Sequence, residues 1–180
     1  MMTKFSMKLG AAAALLLALV WARPARADEM VIKFPGLHPN YVFEAEPHAL
    51  LDPFNVAPGV GFRGTVSVLQ NGFVKSINNS IGVSFGLDYA DKGVWIPVAM
   101  QWNFWLTEHW SVFGEPGLYI YHGVFDTGYC GPGFQACGYP TSTGVDFAFW
   151  AGGRFHFNDT VSLTMRIGYP DFSFGVSFFL

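Results

Sequence analysis

The chain has 180 residues, with Lys+Arg 10 against Asp+Glu 13 and a formal net charge of −3. Only 13% of residues are charged, where about 25% is usual, while 51% are hydrophobic and 18% aromatic, which excludes disorder and collagen-like repeats. Beyond residue 21 no apolar run is long enough for a membrane helix, and the many Gly and Phe residues favour strands.

Residues 1–27 read as a secretory signal peptide. Lys4 and Lys8 supply its positive start, Ala11 to Trp21 its apolar stretch, and Ala25-Arg26-Ala27 a small-x-small cleavage site. Processing there removes Lys4, Lys8, Arg23 and Arg26 of the ten basic residues and none of the thirteen acids. Six bases against thirteen acids remain, net −7, which argues against nucleic acid as a partner. Residues 28–40 form a lead-in, and residues 41–180 carry one repeating pattern.

That pattern has period two, broken by turn signals. It predicts eight strands: Tyr41 to Leu50, Gly59 to Leu69, Ser80 to Tyr89, Val94 to Leu106, Trp110 to Tyr121, Val145 to Phe157, a segment carrying Val161, Leu163, Met165 and Ile167, and a last one from Phe172 to Leu180. Thr107-Glu108-His109 and Asn158-Asp159 make tight turns, whereas His122 to Gly144 is a long loop. With both chain ends on one side, the long loop falls on the side opposite those turns. Cys130 and Cys137 lie in this loop and read as a disulfide closing a short Gly/Pro-rich segment, stabilising it by about 2–3 kcal/mol. Two Cys with no further ligand at metal spacing are too few for zinc, and no cofactor is implied.

Sorting by parity separates the chemistry. One parity carries Glu44, Glu46, His48, Arg63, Asp88, Gln101, Asn103, Glu115, Asp146, Arg154, His156 and Arg166; the other carries no charge and holds Phe43, Val60, Phe62, Ile81, Phe85, Met100, Trp102, Leu118 and Phe149 among many large apolar residues. An eight-stranded barrel has an interior only just wide enough for side chains, too narrow for that apolar set. Pointing it outward against lipid, with the charges paired in the lumen, satisfies both faces. The fold expected is an all-β, eight-stranded antiparallel up-and-down transmembrane barrel. Tyr41, Trp102, Phe104, Trp110, Phe157 and Phe178 read as an aromatic girdle at one rim, and Phe62, Tyr89, Phe147 and Phe172 at the other.

The pattern from Tyr41 to Leu180 resembles the small eight-stranded outer-membrane barrels of the outer-membrane protein A and X type. The most specific piece is Ser173-Phe174-Gly175-Val176-Ser177-Phe178-Phe179-Leu180, which is similar to that family's C-terminal assembly signal, with Ser173, Gly175, Phe178 and Leu180 at its key positions. Family members usually finish on Phe, and this chain finishes on Leu180. The resemblance implies a bacterial outer-membrane location, handling by the barrel assembly machinery, and outer-membrane lipid and lipopolysaccharide as surroundings. It says nothing about oligomeric state.

Glu44, Glu46, Asp88, Glu115 and Asp146 can meet Arg63, Arg154, Arg166, His48 and His156 in a closed lumen network, because a buried charge must be paired. Trp95, Trp105, Phe113, Tyr119, Tyr121 and Trp150 share the inward parity and plug the interior. The leading functional expectation is a non-enzymatic barrel presenting its cysteine-closed loop as a contact surface. A second reading is an envelope enzyme acting on lipid A, with His48 and Glu46, or His156 and Asp146, in acid–base roles; known enzymes of that kind use a Ser with a His and a carboxylate, and no His-x-Ser motif is present here. A third is a soluble periplasmic lipocalin-like binder.

Overall fold

The alternating segments form eight strands. They are β1 (Phe43–Asp52), β2 (Ala57–Leu69), β3 (Asn79–Ala90), β4 (Gly93–Trp105), β5 (Trp110–Val124), β6 (Thr141–His156), β7 (Val161–Tyr169) and β8 (Phe172–Phe179). A computed structural model describes residues 29–53, 56–90, 93–124 and 141–180. The expected signal peptide and the Cys130–Cys137 pair lie outside the described residues.

Each strand pairs antiparallel with its chain neighbours, and β1 pairs with β8, so the sheet closes into an up-and-down barrel without an edge. Both chain-end strands finish at one rim, here the terminal end; the opposite rim is the loop end. The strands are steeply tilted. Pairing carries Phe43, at the terminal end of β1, across Val66 and Val83 to Met100, while Phe149 of β6 pairs with Tyr169 at the loop end of β7. The stagger amounts to about ten residues per circuit, which closes a narrow eight-stranded barrel.

Most boundaries fall within two residues of those expected, and two differ by more. β5 runs on to Val124 and β6 begins at Thr141, so both ends of the expected loop from His122 to Gly144 are strand. Besides Pro58 near the start of β2, three prolines sit in strand interiors, where a missing N–H normally breaks the ladder. The pairing is interrupted at Pro47 between β1 and β8, at Pro97 between β3 and β4, and at Pro116 between β4 and β5, then resumes in register on the far side.

Outward residues are exposed along the whole wall: Phe85, Val98, Leu118 and Phe149 are each more than two-fifths accessible. Ile81 points outward yet is buried, because the connection after β2 folds back over it, with Gly72 against Ile81 and Phe73 packed edge-on to Trp102. Trp102 with Phe104, and Trp110 with Phe155 and Phe157, make outward aromatic clusters near the terminal end. Tyr41, expected in that girdle, instead points inward and is buried between Trp105 and Phe179.

The lead-in is a strap across the terminal end. Val31 N–H donates to Leu106 O, and Met30 bridges to Thr107. Asn78 ties the strap from the other side, its backbone N–H donating to Ile32 O and its side-chain Nδ2 to Leu37 O, both at 2.7 Å. His38 Nε2 donates to Gln70 O at 2.7 Å, and Gln70 returns a bond to Tyr41 O. Val31, Tyr41, Trp105 and Phe179 then close an apolar plug. The Asn78→Ala substitution removes one strap bond and should cost about 1–3 kcal/mol locally. Amide exchange at Val31 and Leu37 is expected to accelerate while that at Ser84 and Ala99 stays slow; equal acceleration at both would show that the strap is not a separate closing element.

Candidate functional site

Inward positions of six strands converge on one buried ionic network. Near the loop end, His48 Nε2 stands 3.0 Å from Asp88 Oδ1, close enough for an ion pair although off the hydrogen-bond direction. Asp88 Oδ2 accepts from Arg63 Nη2 at 2.9 Å, and Arg63 Nη1 reaches Glu115 Oε2 at 3.4 Å. Glu115 is also held by Arg166 Nε at 2.9 Å and by Gln101 Nε2 at 2.6 Å. Arg166 Nη1 donates to Glu46, whose other oxygen accepts from Ser177 at 3.0 Å. Toward the terminal end, Arg154 Nη2 meets both oxygens of Glu44 at 2.7 and 2.9 Å, and its Nη1 donates to Asn103.

The sequence places these groups by close approach as well as parity. His48 pairs across the ladder with Gly61 on one side and Gly175 on the other. A Cβ at Gly61 would strike Asp88 Oδ1 and stand 2.5 Å from His48 Nε2, so only glycine leaves room for that ion pair. Gly152 does the same for Phe113, whose ring lies under two guanidinium groups: Arg154 at 4.2 Å and Arg166 at 5.0 Å from its centre. Arg63 likewise sits 4.5 Å over Trp150. Stacking on rings lets arginine give up water on the faces its hydrogen bonds leave bare.

Of the residues singled out from sequence, Glu44, Glu46, His48, Arg63, Asp88, Glu115, Arg154 and Arg166 are all buried and brought together. Asp146 is not among them. It is exposed near the loop end, with Oδ2 3.5 Å from the Tyr169 hydroxyl, because β6 rises there beyond the last β7 pairing. His156 is buried at the terminal end and meets no carboxylate among the described residues. Its Nε2 is 2.8 Å from Ser111 Oγ, its ring packs on Trp105, and its Nδ1 has no partner among the described residues. Ser111 with His156 is a hydroxyl–imidazole pair without the orienting acid that nucleophilic catalysis uses. In the C-terminal strand, Ser173 and Gly175 face the lumen, while Phe178 and Leu180 are outward-facing or exposed; Leu180 O accepts from Val42 and Phe43, and its N–H donates to Phe43 O.

Sequence reasoning missed Asp171. It occupies the turn between β7 and β8, where no alternation assigns a direction, and it is 1% exposed beside the network. Among the described residues no group of three His, Cys, Asp or Glu could hold a metal ion.

No known protein-family model matches this chain, and a search of the curated proteins gives no match. The site therefore stands on its own geometry. Removing a buried partner leaves the opposite charges uncompensated. Arg166→Met should lower folding stability by about 3–5 kcal/mol, because Glu115 and Glu46 both lose their shared cation. The exposed Asp146→Asn should stay within about 0.5 kcal/mol. Denaturant midpoints of the two variants check this, and comparable losses would contradict the assigned membership.

Proposed function

We propose that the chain is a non-enzymatic integral outer-membrane β-barrel, a rigid anchor whose cysteine-bearing loop, with Cys130 and Cys137 joined, forms a contact surface outside the cell. The observation that carries this reading is the inverted polarity of the wall. Charged side chains fill the lumen, and the outward parity holds Val, Leu, Ile, Met and aromatic residues exposed on every strand. In water such a girdle would be one continuous apolar surface far larger than the few hundred Å² that soluble monomers carry. In hydrocarbon it is the favoured face.

Strand length agrees with the same reading. Seven of the eight strands have 9 to 16 residues, enough for the roughly 9–11 that a tilted strand needs to cross a bilayer, and β8 has 8. The outward aromatic clusters of Trp102 and Trp110 near the terminal end, and Phe62, Tyr89, Phe147 and Phe172 toward the loop end, match interfacial girdles. Outer-membrane lipid and lipopolysaccharide then surround the wall. The C-terminal strand, read as an assembly signal, makes the barrel assembly machinery its inserting partner, with the terminal end in the periplasm.

Val98, outward in the middle of β4 between Phe85 and Leu118, separates this reading from a soluble lipocalin-like barrel. Val98→Arg should destabilise the bilayer-folded protein by about 2–4 kcal/mol. In fractionated cells the wild type is expected with outer membranes, showing heat-modifiable migration. Recovery in the soluble periplasmic fraction, with Val98→Arg as stable as wild type, would refute the proposal.

A further inference from the structure

Among the described residues of the ionic network, the buried acids outnumber the cations that meet them. Arg154 answers Glu44, Arg166 answers Glu46 and Glu115, Arg63 answers Asp88 with a longer contact to Glu115, and His48 stands between Asp88 and Glu46. Asp171 remains. It is 1% exposed, and among the described residues neither carboxylate oxygen has a hydrogen-bond partner. The charged groups facing it are Arg63 from β2, Asp88 from β3, His48 from β1 and Arg166 from β7, and the cations among them are engaged by the other acids. Burial pushes the Asp171 carboxyl up to about 6, with Asp88 adding to the rise and Arg63 opposing it.

The surroundings suit one kind of counter-ion. Asp88 lies opposite Trp95 in the ladder, and Trp95 lies opposite Tyr121. Tyr119 packs on Tyr121, and its hydroxyl donates at 3.1 Å to Tyr169, the last residue of β7 and two residues before Asp171. Inward-facing aromatic rings thus line the same end of the bore as Asp88 and Asp171, and Trp95 and Tyr121 are partly exposed there. No group of three metal-type ligands is present among the described residues, so a chelated divalent ion lacks its cage. An ammonium needs only acceptors for its N–H donors and ring faces for its charge.

We propose that the loop end of the lumen is a binding site for a protonated amine, held by the Asp171 carboxylate, which has no hydrogen-bond partner among the described residues, with the Trp95, Tyr119 and Tyr121 rings lining the same end. The site completes the ionic network from outside the chain. It stands on the lumen geometry alone and does not depend on the membrane reading.

The test is thermal unfolding of the folded full chain in detergent at pH 7.5, comparing methylammonium chloride with sodium chloride at equal ionic strength. The midpoint should rise by several degrees with methylammonium beyond the sodium control, and Asp171→Asn should abolish the difference. Because the fold opposes ionisation of Asp171, unliganded stability falls as pH rises from the unfolded carboxyl range through about 6, and the amine offsets that loss only where the group is ionised. The methylammonium effect should accordingly fade below pH 6. In wild type, carbon-13 titration of the Asp171 carboxyl should show its apparent pKa lowered by methylammonium, a readout that survives if the Asn variant does not fold. Equal midpoints in the two salts, an unchanged response in Asp171→Asn, or an unmoved carboxyl titration would overturn the proposal.

Discussion

An eight-stranded cylinder encloses a bore about one layer of side chains wide, and this chain fills that bore with ions. The rest of the structure follows from that constraint. Water has little room inside, so each charged group must be compensated by another side chain across the bore. Arg63, Arg154 and Arg166 do this with forked hydrogen bonds on one edge and aromatic faces against their planes. With the polar residues committed to the interior, the outward parity is left to Val, Leu, Ile and Phe.

The ionic contacts also pin the closure of the sheet. Glu44 to Arg154 joins β1 to β6, Glu46 to Arg166 joins β1 to β7, and Arg63 to Glu115 joins β2 to β5. None of these pairs is adjacent in the ladder, so each contact spans the bore. A one-residue slip of any strand would turn its charges outward and its apolar residues into the network, an error expensive on both faces. Buried ion pairs are weak sources of net stability, but in this arrangement they select one register among many. That selection helps explain how three interior prolines are tolerated: the ladder lapses beside Pro47, Pro97 and Pro116, and the contacts of Glu46 with Arg166, His48 with Asp88 and Glu115 with Arg166, each between strands that do not pair, lie within a few residues of those gaps.

The two ends of the bore are built differently. The terminal end is shut by a strap whose backbone is tied to Leu106 and Asn78 and whose His38 side chain donates to Gln70 O, above a stack in which His38 lies 5.1 Å from Trp105 and Trp105 lies 4.9 Å from His156. The loop end has aromatic rings and carboxylates, with Arg63 already drawn into the network below. A barrel closed by packing at one end and acidic at the other is polar along its axis, which gives the loop end a distinct chemistry from the wall and the strap.

Much of this was legible in the sequence because strand parity is a local property. Alternation from Tyr41 onward gave eight strands, the inward placement of Glu115 and Arg154, and the outward placement of Phe85 and Phe149, since each side chain's face follows from its neighbour's. What parity cannot do is choose partners or height. Arg166 meets Glu46, 120 positions away, and Asp146 rises out of the network although it shares the same face, because both outcomes depend on the stagger accumulated around the closed barrel. Tyr41, Ile81, the strap and Asp171 lie at strand ends, under connections or in turns, where the period of two stops. Their burial was decided only when the folded chain brought Trp105, Gly72 and the lumen charges against them.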